Sequence, residues 1–154
     1  MQAVIFCGIQ ASGKTTFYLE RFFETHVRIS LDLLRTRARE QILLGACLAA
    51  RQPFVVDNTN PKAADRARYV APALAAGFEV IGYYFAADAR AAFERNRRRP
   101  GRAAIPAAGL FGTRKRLEIP RLEEGFTSLS RVEIVEGGGF QVTPWDAAAG
   151  EGSS

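Results

Sequence analysis

The residues best suited to chemistry lie near the start of the chain. Gly8-Ile9-Gln10-Ala11-Ser12-Gly13-Lys14-Thr15 fits G-x-x-x-x-G-K-[ST] at every fixed position. Glycines let the backbone wrap so that several N–H groups point inward, and such a nest binds phosphate oxygens. A helix opening behind the loop adds the partial positive charge of its N-terminus. The Lys14 ammonium can reach β and γ phosphates, and the Thr15 hydroxyl can sit on Mg²⁺ (or Mn²⁺). Gly8, Gln10, Ala11, Ser12, Gly13, Lys14, Thr15 and Thr16 are therefore the expected ATP-holding set, with Lys14 also catalytic. A chance turn would match the spacing too, but not the apolar strand before it and the helical pattern after it.

Three further clusters address what receives a phosphoryl group. Asp32 and Arg35 stand at i and i+3 just past a short strand, where ligands bind in open α/β sheets. Asp32 could take the proton of an attacking hydroxyl, and Arg35 could fork an anion on the acceptor. Equally, Asp32 could be a first-turn helix acid paired with Arg35. Asp57 closes the apolar run Phe54-Val55-Val56, a pattern for a carboxylate near Mg²⁺. The alternative there is an Asx turn into Asn60-Pro61. Residues 95–102 hold five arginines, which repel one another unless an anion lies among them. A lid closing on a triphosphate, with Arg95, Arg99 and Arg102 as its cations, is preferred to a solvated basic face. His26, Cys7, Phe17, Phe22, Phe23, Phe78 and Phe85 read as satisfied or core residues.

These groups need a scaffold. Apolar runs at 3–7, 27–30, 54–57, 80–85 and 131–135 read as strands, and helical patterns fall at 14–23, 31–51, 62–76, from 88 through the arginines, and at 110–119. Ser30 is the expected N-cap of the long second helix, and Pro61 the first residue of the third. Near-continuous apolar strands alternating with helices predict a parallel sheet of about five strands with helices on both faces. One domain over 1–143, with a lid at about 95–106 and a flexible tail at 144–154, accounts for the chain.

Composition bounds the rest. The chain has 154 residues, 47% hydrophobic and 24% charged, enough for one core. Cys7 and Cys47 offer neither a disulfide framework nor a zinc spacing. No apolar run approaches the ~20 residues of a membrane span, and no charged leader precedes the first strand, so a cytoplasmic protein without membrane contact is expected. Net charge is +5, unevenly spread. Residues 90–121 carry ten basic and two acidic side chains, a local +8 against −3 for the remainder. An anionic partner follows, and its first candidate is ATP.

Together, GIQASGKTTF (8–17), DLLR (32–35), DNTNP (57–61), RARY (66–69), RNRRR (95–99), Ile105-Pro106 followed by Arg114-Lys115, and EGF (124–126) resemble the polynucleotide kinase family, the kinase domains of nucleic-acid end-repair enzymes. The resemblance implies a P-loop kinase fold and transfer of the ATP γ-phosphate to a 5′-hydroxyl end of DNA or RNA. It implies Asp32 as general base, Arg35 as the grip on the acceptor's phosphate, Arg95 and Arg99 as lid arginines with Arg102 assisting, and Thr15 with Asp57 at the metal. Pro100-Gly101 departs from the family's more polar lid. Two other functions stay open: a kinase of a small-molecule alcohol, for which Arg35 would be dispensable, and a non-enzymatic nucleotide-binding regulator.

Overall fold

The structure, a computed structural model, describes residues 1–86, 112 and 115–145. The helix expected from 88, the lid at 95–106 with Arg95, Arg99 and Arg102, and residues from 146 onward lie outside the described residues.

Among the described residues six strands form one sheet: β1 (Gln2–Cys7), β2 (Val27–Ile29), β3 (Phe54–Val56), β4 (Glu79–Phe85), β5 (Ser128–Ile134) and β6 (Phe140–Pro144), in the order β2-β3-β1-β4-β5-β6. The first five pair in parallel, and β6 returns antiparallel on β5. Alternation along the central strand divides the core. Ala3 and Ile5 pack with Leu44, Cys47, Tyr69 and Ala73 from α3 (Arg37–Ala50) and α4 (Ala63–Ala75). Val4 and Phe6 face Phe17 and Tyr18 of α1 (Lys14–Arg21) on the opposite side. Helices thus cover both faces, as parallel strands require. The chain leaves β1 to one side for β2 and β3, then crosses to the other for β4 and β5. The crevice at the carboxyl end of β1 is where such sheets bind ligands.

The sheet corrects several expectations. It has six strands, because Gly137, Gly138 and Gly139 turn the chain at positive φ into β6. Pro144 and Trp145, expected in the tail, instead close the sheet: Pro144 ends β6, and the Trp145 N–H donates to the Leu129 carbonyl at 2.9 Å. The long helix 31–51 is two helices, the single turn α2 (Leu31–Leu34) and α3. Arg35 ends α2 at φ 73°, a left-handed conformation costly for a side chain with a Cβ. Thr36 then caps α3 by accepting from the Arg39 N–H at 3.1 Å. Pro61 is not a first helical residue; Lys62 is the N-cap, and the Glu118 carboxylate accepts from the Ala63 N–H at 2.8 Å.

Candidate active site

The loop after β1 is built from backbone. Gly13 sits at φ 96°, and a Cβ there would come within 2.9 Å of the Phe140 ring. A Cβ on Gly8 would meet Phe85 at 2.8 Å, including its main chain at 3.0 Å. Both positions need glycine for space, and Gly13 for its dihedral as well. Lys14 opens α1 and is buried, its Nζ donating to the carbonyls of Gly8 (3.0 Å) and Ile9 (2.7 Å). The ammonium is thereby held within the curl of the loop. Burial pushes the Cys7 thiol up to about 11, so Cys7 stays a neutral core residue beside the loop.

Asp57 meets the loop from β3. Its Oδ2 accepts from the Thr15 hydroxyl at 2.9 Å and from Arg28 Nε at 2.9 Å. Arg28 Nη2 also reaches the Thr15 hydroxyl at 3.3 Å. The two expected metal residues are therefore side by side. A hydroxyl and a carboxylate are the hard oxygen donors that Mg²⁺ uses alongside substrate phosphates and water. Among the described residues no group of three or more His, Cys, Asp or Glu is placed to hold a metal ion. Arg28 went unmarked in the sequence; its signal was a charge inside a short strand of otherwise apolar residues, the edge strand β2.

The loop following β3 is fastened on all sides. The Gly8 N–H donates to the Thr59 carbonyl at 2.9 Å, and Asn60 Nδ2 donates to the Phe6 carbonyl at 2.8 Å. Arg66, fully buried, donates from Nη1 to the Asn60 and Pro61 carbonyls and grips Glu124 with Nε (2.7 Å) and Nη2 (2.9 Å). Phe126 is buried in the core behind it. DNTNP, RARY and EGF thus form one mutual scaffold that presses the Asp57–Asn60 segment onto the phosphate loop.

Asn58 extends this scaffold to the next wall. Its Oδ1 accepts from the Leu31 N–H at 2.9 Å, the service expected of Ser30, whose side chain makes no cap. Its Nδ2 donates to Glu40 Oε2 (3.0 Å) and to the Tyr69 hydroxyl (3.2 Å). Glu40 is fully buried, and its Oε1 accepts from Tyr69 (2.9 Å) and Arg37 Nη1 (2.8 Å). Burial lowers the pKa of Arg37, but the Glu40 and Tyr69 contacts more than reverse it and leave it raised. Tyr69 is raised by burial and then by Glu40, so its hydroxyl stays protonated.

These walls enclose a cleft of about 590 Å³ lined by Lys14, Thr15, Asp32, Arg37, Asp57 and Asn58, among others. Of the expected site residues, Gln10, Ala11, Gly13 and Thr16 also line it, while Gly8 and Ser12 sit behind in the loop. Asp32 has no hydrogen-bond or ion-pair partner among the described residues, so the simple Asp32–Arg35 pair is not formed. Arg35 does not line the cleft. The break after α2 interrupts the helical spacing, and Arg37, which the sequence left unmarked, lines the cleft instead; the cap-type Thr36 between them was the available signal. Across the loop, a second cavity of about 290 Å³ shares Ala11, Gly13 and Thr16 and adds Glu20, Ile134 and Phe140. His26 is satisfied locally by Thr25 and Gln2.

A family model described as an AAA domain matches residues 37–120, more than half of the chain, beginning after the phosphate loop. Solved structures share the fold. A gluconokinase from Sinorhizobium meliloti 1021 superposes with a TM-score of 0.60 at 19% identity, covering 88% of this chain and 83% of that one. Chaetomium thermophilum Kti12, in complex with ADP-AlF3, gives 0.60 at 19% identity over 85% and 88%. A structure from the PezAT toxin-antitoxin system of Streptococcus pneumoniae gives 0.56 at 15% over 85% and 67%. What these structures share with the chain is the α/β fold, a mainly parallel sheet flanked by helices with the phosphate loop after β1. No helix among the described residues is long and apolar enough to cross a membrane.

Proposed function

From a chain that belongs to this AAA-domain family and folds as a P-loop kinase, we propose an ATP-dependent phosphotransferase whose acceptor is a small-molecule alcohol. The observation that carries this is the juxtaposition in one cleft of Lys14 and Thr15 with Asp32, a carboxylate that no described neighbour engages. The triphosphate lies along the loop, with its base in the cavity beside Ile134 and Phe140. The Lys14 ammonium exchanges loop carbonyls for phosphate oxygens. Thr15 and Asp57 would hold Mg²⁺ (or Mn²⁺), which neutralises charge on the β and γ phosphates. Asp32 accepts the hydroxyl proton as the acceptor oxygen bonds to the γ-phosphorus. The bond from that phosphorus to the bridging oxygen breaks, and ADP departs. Arg95, Arg99 and Arg102 are assigned to cover the transferring group, with Arg99 catalytic.

A small acceptor is favoured over a polynucleotide by the fold shared with a gluconokinase, and Arg35 lends the polynucleotide reading no support. Arg35, which the resemblance makes the grip on a nucleic-acid phosphate, does not line the cleft, and Arg66, Asn60 and Glu124 are engaged in the scaffold. The 5′-hydroxyl polynucleotide reading keeps one specific support, the +8 charge of residues 90–121. ATP consumption and labelled product measured against sugars, sugar acids, nucleosides and 5′-OH DNA and RNA oligonucleotides decide between them. Asp32→Asn should abolish transfer, by about 10²-fold or more, while nucleotide binding persists. Loss of nucleotide binding in that variant would remove Asp32 from the role of base. Transfer confined to oligonucleotides, and falling steeply with salt, would restore the polynucleotide reading.

A further inference from the structure

We infer that Arg37 binds the acceptor and that the acceptor is an anionic alcohol, carrying a carboxylate or phosphate near the hydroxyl that reacts. The inference rests on the phosphotransferase reading and narrows its substrate class.

Arg37 is the first residue of α3 and lines the same cleft as Lys14 and Asp32. Both hydrogens of its Nη1 are committed, one to Glu40 at 2.8 Å and one to Tyr69 at 2.9 Å. Its Nε and Nη2, with three further N–H bonds, have no protein acceptor among the described residues, and the side chain is 49% exposed. An arginine at a surface normally samples many rotamers. This one is pinned at one nitrogen and offers the rest of a planar fork in a fixed direction. Such a fork matches a carboxylate or phosphate with two parallel hydrogen bonds.

Arg37 is more than a counter-ion for Glu40. Without it, Glu40 Oε1 still accepts from Tyr69 and Oε2 from Asn58. A carboxylate buried this completely is costly to desolvate. What it adds to a site already rich in donors is a rigid, charged anchor for a guanidinium. The same network extends through Asn58 to the Leu31 N–H, at the start of the turn that carries Asp32. One set of hydrogen bonds therefore registers the group that would hold the acceptor's anion and the group that would take its proton.

The test compares matched alcohols: gluconate with glucose, glycerate and glycerol 3-phosphate with glycerol, and a 5′-OH dinucleotide with its nucleoside. ATP turnover is one readout. Thermal stabilisation of the protein saturated with Mg-ADP is the other. The variants are Arg37→Gln, Arg37→Gln/Glu40→Gln (which removes the buried carboxylate along with its cation) and Arg68→Gln, an exposed control of equal charge change. The expected result is an anionic member preferred by about 100-fold in kcat/KM, with the preference lost in both Arg37 variants through KM and kept in Arg68→Gln. The carboxylate and phosphate arms identify which anion is used. Neutral alcohols turned over as well as their anionic partners would overturn the inference and leave the phosphotransferase reading standing. Anionic members that stabilise the protein through Arg37 without turnover would support the anion site and count against the phosphotransferase. Neither turnover nor stabilisation by any anionic member would overturn the inference.

Discussion

The two walls of the cleft are made differently. The phosphate loop is eight consecutive residues whose working groups are main-chain amides, two obligatory glycines and one lysine. The opposite wall, proposed for the acceptor, is made of side chains from separate elements: Arg37 of α3 and Asn58 after β3 line the cleft, and buried Glu40 of α3 and Tyr69 of α4 hold them from behind. A triphosphate is the same for every enzyme that uses it, so a local backbone shape suffices to hold it. An acceptor differs from enzyme to enzyme, and its recognition needs side chains whose placement depends on how helices pack.

Substitutions on either wall should break the molecule in different ways. Lys14→Met removes the cation meant for the transferring phosphate, and kcat/KM should fall by about 10³-fold with the circular dichroism unchanged. A loss under tenfold would mean that the loop is not the donor site. Tyr69→Phe takes a donor from buried Glu40 and an acceptor from Arg37 and Asn58, at a stability cost of about 1–3 kcal/mol. Thermal melting checks the cost. On the present view the acceptor KM rises while nucleotide affinity holds, and a parallel loss of both would erase the distinction between the walls. The smallest effect is expected at Arg28, whose guanidinium competes for Asp57. Arg28→Met should lower half-saturating Mg²⁺ by roughly three- to tenfold, since a like charge leaves the site. Mn²⁺ titration of the ADP-bound protein, followed by paramagnetic resonance, reads this without turnover. Weaker ion binding in the variant would instead make Arg28 a support for the Asp57 carboxylate.

Much of the donor side was legible because local signals carried it. The strand before the loop, the glycines, Lys14, Thr15 and Asp57 all lie where their spacing predicts, and Thr15 and Asp57 meet at 2.9 Å although 42 positions apart. The acceptor side was only half legible. Asp32 faces the cleft as expected, but Arg35 does not, because helical periodicity assumes an unbroken helix and Arg35 itself breaks it at positive φ. The sixth strand was hidden for a related reason. Three consecutive glycines end one strand and begin another, and nothing local distinguishes a stop from a hairpin. DNTNP, RARY and EGF carried much of the family resemblance, and in the structure Arg66 joins the Asn60 carbonyl to Glu124 and fixes the loop. Their order along the chain records a shared scaffold, which many acceptors can use.

The sequence by itself determined the parallel α/β class and the phosphate loop. Those features are written in short-range spacing, and backbone geometry enforces them. Only the tertiary structure decided which arginine lines the cleft, what caps the turn bearing Asp32, and why Glu40 is buried. These depend on where α3 and α4 settle on the sheet, a matter of packing between residues far apart in the chain, which no local pattern encodes.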